Sequence, residues 1–318
     1  MVRIGVDAFG GDNAPEAVVL GAIEAQKAIG AKCRIVLFGD RGSIQRAFES
    51  NGYSADDFDI VHTTERIEMA DHPAESFRTK RNSSIVLGFD YLVDGKIDGF
   101  ASAGSTGAMM VGSMIAAKPL PGVLRPTIAI SIPTINGGIV TILDIGINVD
   151  CKPEVLEQYA LIGSIYASRM LGIDNPRVSL LNIGEENGKG NAQVKSAYRL
   201  MKDASDKGRY NFVGNIEPSH IFFGDKTDVV VCDGFVGNTV LKLAEGFYAI
   251  NENCGMMNDF WRGLNYEQTG GTTVLGIGST VTIGHGKSTP QAVSNMIRSA
   301  YRAVSADVVG RLREAFEQ

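Results

Sequence analysis

The chain has 318 residues, 44% of them hydrophobic and 21% charged, with a formal net charge of −6 at pH 7. Length and balance suffice for a large buried core and exclude a disordered chain, and an acidic chain without aromatic and basic interleaving lacks the face a nucleic-acid binder carries. Cys33, Cys151, Cys232 and Cys254 lie far apart with no C-x-x-C pair, which excludes a disulfide framework or zinc-site spacing and fits a reducing cytosol.

From the start, "MVRIGVDAFGG" reads as a strand at 2–7 feeding a glycine corner, with no basic leader or apolar signal region. Helical spacing follows at 16–29, a strand at 33–38, a helix at 44–50, a strand at 59–62 and a helix at 84–93. Next come a strand at 99–103, a helix at 107–117, and strands at 127–133 and 138–145 whose "TINGG" connection suits a hairpin. The remainder alternates: helix 153–170, strand 178–183, helix 193–204, strand 212–216, strand 229–232, helix 238–250, strand 280–283 and helix 292–316. Such alternation predicts an α/β fold, a three-layer αβα arrangement with a mostly parallel sheet covered on both faces. One catalytic unit over 1–318 is expected, with room for two lobes sharing a sheet and no boundary readable. Its apolar runs are broken well short of the about 18 residues a membrane span needs, so the expectation is a soluble, cytoplasmic protein, at most peripheral to a membrane.

Ligands of parallel sheets sit beyond the carboxyl ends of the strands, where glycine and polar clusters recur in this chain. "ASAGSTGA" (101–108) places Gly104, Ser105, Thr106 and Gly107 at a strand-to-helix corner, with Ser105 or Thr106 as the cap. Free amides at such a helix start suit an anion, and small residues there equally suit close packing on a sheet. "LNIGEENGKGN" (181–191) presents Lys189 between Gly188 and Gly190, with Asn191 set to cap the next helix. A lysine in that setting can neutralise a phosphate oxygen or simply be solvated. "CDGFVGN" ends a strand at Asp233 and offers Asn238 as a helix cap or as an amide donor; Cys232 reads as a buried thiol. His285, in "IGHGKS", is the one histidine in a glycine corner, and its role stays open between structure and function. Walker A spacing, the dinucleotide fingerprint, H-E-x-x-H and G-x-S-x-G are all missing, so the sequence indicates no cofactor and no metal ligands.

Taken in order, "VDAFGGDNAPE", "ASAGSTGAMM", "RPTIA", "LDIGINVDCKPE", "LNIGEENGKGN", "NFVGNIE", "VVVCDGFVGNTVLKLAEG" and "IGHGKS" resemble the bacterial phosphate acyltransferases of phospholipid synthesis, the PlsX family, over nearly the whole chain. The resemblance implies a fold similar to isocitrate and isopropylmalate dehydrogenases and phosphotransacetylase. It implies transfer of a long-chain acyl group from acyl-acyl carrier protein to inorganic phosphate, giving acyl phosphate for a membrane glycerol-phosphate acyltransferase. Residue by residue it implies Lys189, Asn238 and His285 as catalytic candidates. Gly104, Ser105, Thr106, Gly107, Gly188, Gly190 and Asn191 become phosphate-binding candidates, with Asp12 and Asp233 as neighbours. Relatives are homodimers. An acidic carrier calls for a basic patch, and "FRTKRNSS" with Arg78, Lys80 and Arg81 is the densest, unless those charges are only solvated. Many relatives carry a longer insertion after the "DGFTGN" helix, associated with membrane docking. Here the segment at 247–269 is shorter, which puts membrane contact in doubt and leaves its aromatic residues open to acyl-channel, core or dimer packing. The competing readings are an NAD- and metal-dependent dehydrogenase of the same fold and a non-catalytic acyl-carrier scaffold.

Overall fold

A computed structural model describes residues 1–317, which form two compact units, Met1–Pro119 with Tyr266–Val309, and Leu120–Asn265 with the segment from Gly310.

The first unit holds β1 (Val2–Asp7), α1 (Glu16–Ile29), β2 (Cys33–Gly39), α2 (Arg41–Ser50), β3 (Asp59–His62), α3 (Pro73–Thr79), α4 (Ser84–Val93), β4 (Gly99–Ser102) and α5 (Thr106–Gly112). The second holds β5 (Thr127–Pro133), β6 (Ile139–Leu143), α6 (Pro153–Leu171), β7 (Arg177–Leu181), α7 (Ala192–Asp206), β8 (Asn211–Ile216), β9 (Val229–Val231), α8 (Gly234–Asn253) and α9 (Asp259–Gly263). The chain then returns to the first unit with α10 (Tyr266–Thr269), β10 (Thr272–Leu275), β11 (Thr280–Ile283) and α11 (Pro290–Ser305), before α12 (Val308–Phe316).

In the first unit the strand order is β3-β2-β1-β4-β11-β10, parallel except for the last pair. Alternation along β1 sends Ile4 and Val6 into a fully buried cluster with Val19 and Ala22 of α1 and Ile297 and Ala300 of α11. An aromatic cluster of Phe38, Phe89 and Phe100 packs ring against ring with centroids 5.4–5.8 Å apart. The second unit orders its strands β5-β6-β9-β7-β8, with β5–β6 the antiparallel hairpin and the rest parallel. Helix α6 covers β6, β9 and β7 and buries Tyr159 completely.

Several expected boundaries move for physical reasons. The helix expected at 292–316 is two helices, because Asp307 takes a left-handed φ of 53° that interrupts the ladder. The helix expected to open at Asn238 begins at Gly234, where the Asp233 carboxylate accepts the Val236 amide at 2.9 Å and caps it. The 107–117 helix is α5 followed by a π-helical turn at Ser113–Ala117. Short α3, α9, α10 and β10 carry too little periodicity to be read beforehand.

Candidate active site

In each unit the glycine corners gather at the carboxyl ends of neighbouring strands. In the first unit the corners after β1, β4 and β11 are stitched together: the Gly284 amide donates to the Ser102 carbonyl at 2.8 Å, and the Asp12 amide to the Gly286 carbonyl at 2.7 Å. Asp7, only 2% exposed, accepts the Ser102 hydroxyl at 2.7 Å, and Ser102 Oγ in turn accepts the Gly104 amide at 2.9 Å. Burial pushes the Asp7 carboxyl above its ordinary value, against the hydrogen bonds that hold it down. A Cβ on Gly104 would lie 3.0 Å from Asp7 Oδ2 and 3.3 Å from Gly10 Cα, so a larger residue would have to push the Asp7 carboxyl and the facing backbone aside.

Ser105 caps α5, its buried Oγ accepting the Ala108 amide at 3.3 Å, and Thr106 is the exposed hydroxyl of the corner. Gly107 faces Pro73, whose Cγ a Cβ would approach to 2.5 Å; close packing on α3 therefore explains that glycine. Exposed His285 lies at the corner after β11, with Nδ1 accepting the Lys287 amide at 3.2 Å. Arg66, which stands in no motif of the sequence, donates to the Gly11 carbonyl at 3.3 Å and brings a cation to this corner.

The second unit gathers the loops after β6, β9 and β7. Asp144, fully buried at the end of β6, accepts the amides of Gly146 and Ile147 at 3.2 Å each and that of Asn148 at 2.7 Å. The loop so tied carries the Asn148 carbonyl to the Gly234 amide at 2.7 Å, fixing the start of α8. Asn238 sits in the second turn of that helix, exposed, and its carboxamide Oδ1 would lie 3.5 Å from a Cβ on Gly146. Among the described residues that carboxamide has no hydrogen-bond partner, so it remains available to a ligand.

After β7, Asn182 Nδ2 donates to the Lys189 carbonyl at 3.2 Å, and Asn215 of β8 donates to the Glu186 carbonyl at 3.0 Å. These bonds hold the 182–191 loop while leaving the Lys189 side chain half exposed, 4.0 Å from Glu186 at its ammonium. Gly190 has φ of 90° and presses on Asn182, whereas Gly188 faces open space. Asn191 accepts the Val194 amide at 2.8 Å and is thereby committed to capping α7, as Asp233 is to capping α8.

Lys189 and Asn238 thus reach the same strand-end edge of one unit, and Asp12, Gly104–Gly107 and His285 that of the other. Asp144, Asn182 and Asn215 were missed because a lone Asp or Asn at a strand end carries no spacing signal; the "LDIGIN" corner was the available hint. Of the basic patch, Arg78 and Arg81 are exposed, but Lys80 is tied to Asp71 at 2.6 Å and to the Arg66 carbonyl at 2.9 Å. Cys232 and Cys151 are buried, and burial raises the pKa of Cys232 well above normal and that of Cys151 to about 11, which keeps both as thiols.

The family described as "Fatty acid synthesis protein" matches residues 2–260. A "Phosphate acyltransferase" of Salinibacter ruber is 41% identical over 335 aligned positions, covering 99% of this chain and 98% of that protein. One of the same name from Desulforamulus reducens is 39% identical, covering 100% and 98%. Among solved structures, a phosphotransacetylase from Streptococcus pyogenes superposes with a TM-score of 0.68 at 16% identity, covering 96% and 94%, and shares the fold.

Proposed function

Because this chain belongs to the family of fatty acid synthesis proteins, and its full-length relatives are phosphate acyltransferases, we propose that it transfers an acyl group to inorganic phosphate. The observation that carries the reading is that Lys189, exposed, and Asn238, whose carboxamide has no hydrogen-bond partner among the described residues, stand after the adjacent parallel strands β7 and β9 at one strand-end edge built from backbone-fixed loops.

Phosphate is its own nucleophile. One of its oxygens attacks the thioester carbonyl, a C–O bond forms, the C–S bond breaks, and the thiolate leaves to take a proton. A free thiol ionises with a pKa of about 8.5, so departure requires neither a covalent enzyme intermediate nor a strong general acid. The protein's task is to hold two reactants and meet the developing oxyanion. Alignment supplies several kcal/mol, and a donor aimed at the tetrahedral oxygen about 3 kcal/mol more. In this scheme Lys189 pairs with phosphate oxygens, and Asn238 donates from its amide to phosphate or oxyanion.

The acyl donor in this proposal is acyl carrier protein, met through Arg78 and Arg81, and the acyl phosphate serves phospholipid synthesis through a membrane acyltransferase. Assembly as a homodimer belongs to the same proposal. Among the described residues no helix is long and apolar enough to cross a membrane. Incubating the purified chain with acyl carrier protein thioester and labelled orthophosphate should place label in an acyl product and release free carrier thiol in equal amount. Thiol release without labelled product, or neither, overturns the reading.

A further inference from the structure

A cavity of about 280 Å³ opens within the second unit, walled by Ile135, Phe222, Ala244, Phe247, Phe260 and Trp261 and apolar throughout. Four pieces of chain frame it. The tip of the β5–β6 hairpin is clamped to the 222–223 segment, the Ile135 amide donating to the Phe222 carbonyl at 2.8 Å and Asn136 to the Phe223 carbonyl at 3.0 Å. Helices α8 and α9 close the other sides, with Phe260 stacked edge-on to Phe222 and Trp261 at 6.3 and 4.9 Å. Ile135 and Phe247 remain 57% and 51% exposed at the mouth, apolar surface that only an apolar occupant would remove from water.

We propose that this cavity receives the hydrocarbon chain of a fatty acyl substrate; the assignment rests on the acyl-transfer reading above and extends it to chain-length selection. A wall without a polar partner suits a ligand that needs none. A methylene has about the bulk of a water molecule, whose share of liquid volume is ~30 Å³, so the cavity holds roughly nine chain carbons. Position supports the same occupant. Phe223 lies 6.3 Å from the His220 ring, His220 Nε2 lies 3.7 Å from the Glu185 carboxylate, and Lys226 donates to that carboxylate as well. Glu185 belongs to the loop that carries Lys189. The turn at 218–226 therefore touches both the cavity, through Phe222 and Phe223, and the loop that carries Lys189, through His220 and Lys226.

Trp261 is the chain's single tryptophan, which makes its emission a direct report on the cavity. Titration with dodecanoate should blue-shift that emission saturably, whereas butyrate at the same concentration should not, because each buried methylene strengthens binding about fourfold. Ala244→Phe, which fills the cavity, and Ile135→Glu, which charges its exposed mouth without entering the core, should each weaken dodecanoate binding at least about tenfold. In turnover, both should raise the KM for a long-chain acyl donor far more than that for a butyryl donor. The proposal is overturned by an emission that dodecanoate leaves unmoved. It is equally overturned by an emission that responds only to phosphatidylglycerol–phosphatidylethanolamine vesicles, which would assign the surface to a membrane, or only to protein concentration, which would assign it to a second copy. The fluorescence arm reads the cavity even if no acyl phosphate is formed, so failure of the acyl-transfer reading is separable from failure of this one.

Discussion

The Asp7 carboxylate and the Ser102 hydroxyl, 95 residues apart in sequence, meet at 2.7 Å and tie the carboxyl ends of the parallel strands β1 and β4. Both are buried, so the bond works where water cannot compete, and it sets the path that brings Gly104 and Thr106 to the corner.

Stability should reveal the strained ionisation of Asp7. Its folded pKa is raised by burial above the ordinary 3.8, so the folded state holds this proton more tightly than the unfolded state does. The resulting stabilisation is full below 3.8 and is lost as pH rises through the folded value. Asp7→Asn removes the titration. Thermal melts of both proteins should converge at acidic pH, and the wild type should fall progressively behind the variant towards neutrality. A gap that narrows with rising pH would contradict this assignment.

Gly237 marks where α8 presses onto the end of β6. A Cβ there would fall on the Asp144 carbonyl oxygen and lie 2.9 Å from Cys232 Sγ, and a backbone atom cannot swing aside as a side chain can. Gly237→Ala should destabilise the protein by about 3 kcal/mol, a drop in Tm of roughly 6–12 °C. Gly246, in open space on the same helix, is the control: Gly246→Ala should be neutral or slightly stabilising.

Much of this arrangement was legible beforehand. β1, α1 and β3 fall where periodicity places them, and Ser105 and Asn191 cap the helices that follow them. What escaped depends on contacts distant in sequence. Gly234 and Gly237 look like loop residues until the Asp144 carbonyl is seen against the helix, so periodicity places the start of α8 a turn late. Asp144 itself was unreadable as a loop organiser because its amide partners are its immediate neighbours in a turn, which leaves no periodic trace. Lys80 stood out as part of a charge run, and only the fold reveals that Asp71 holds it.

Lys189 is exposed enough that removing it should leave stability within about 0.5 kcal/mol. Under the acyl-transfer proposal, Lys189→Ala should lower kcat/KM for phosphate by about a hundredfold or more. Lys189→Arg should restore part of that loss, since charge returns with different geometry. Unchanged phosphate kinetics in a folded Lys189→Ala protein would remove the lysine from the mechanism.

Carrier recognition can be tested cleanly only at the right cations. Lys80 bonds to Asp71 and to the Arg66 carbonyl, and Arg66 in turn holds Gly11 at the first unit's corner. Reversing Lys80 would therefore disturb the fold along with any docking surface. Arg78 is exposed, and Arg81 has a single 3.4 Å ion pair to Asp90, of the kind worth at most about 1 kcal/mol at a surface. Arg78→Glu with Arg81→Glu should thus leave the melting temperature nearly unchanged while raising the KM for acyl carrier protein thioester severalfold. The effect should fade with added salt, because exposed charges are screened within about 10 Å at 0.1 M. The KM for phosphate should not move. Equal effects on both substrates, or an effect that salt does not weaken, would mean that the arginines shape the enzyme rather than meet its acidic partner.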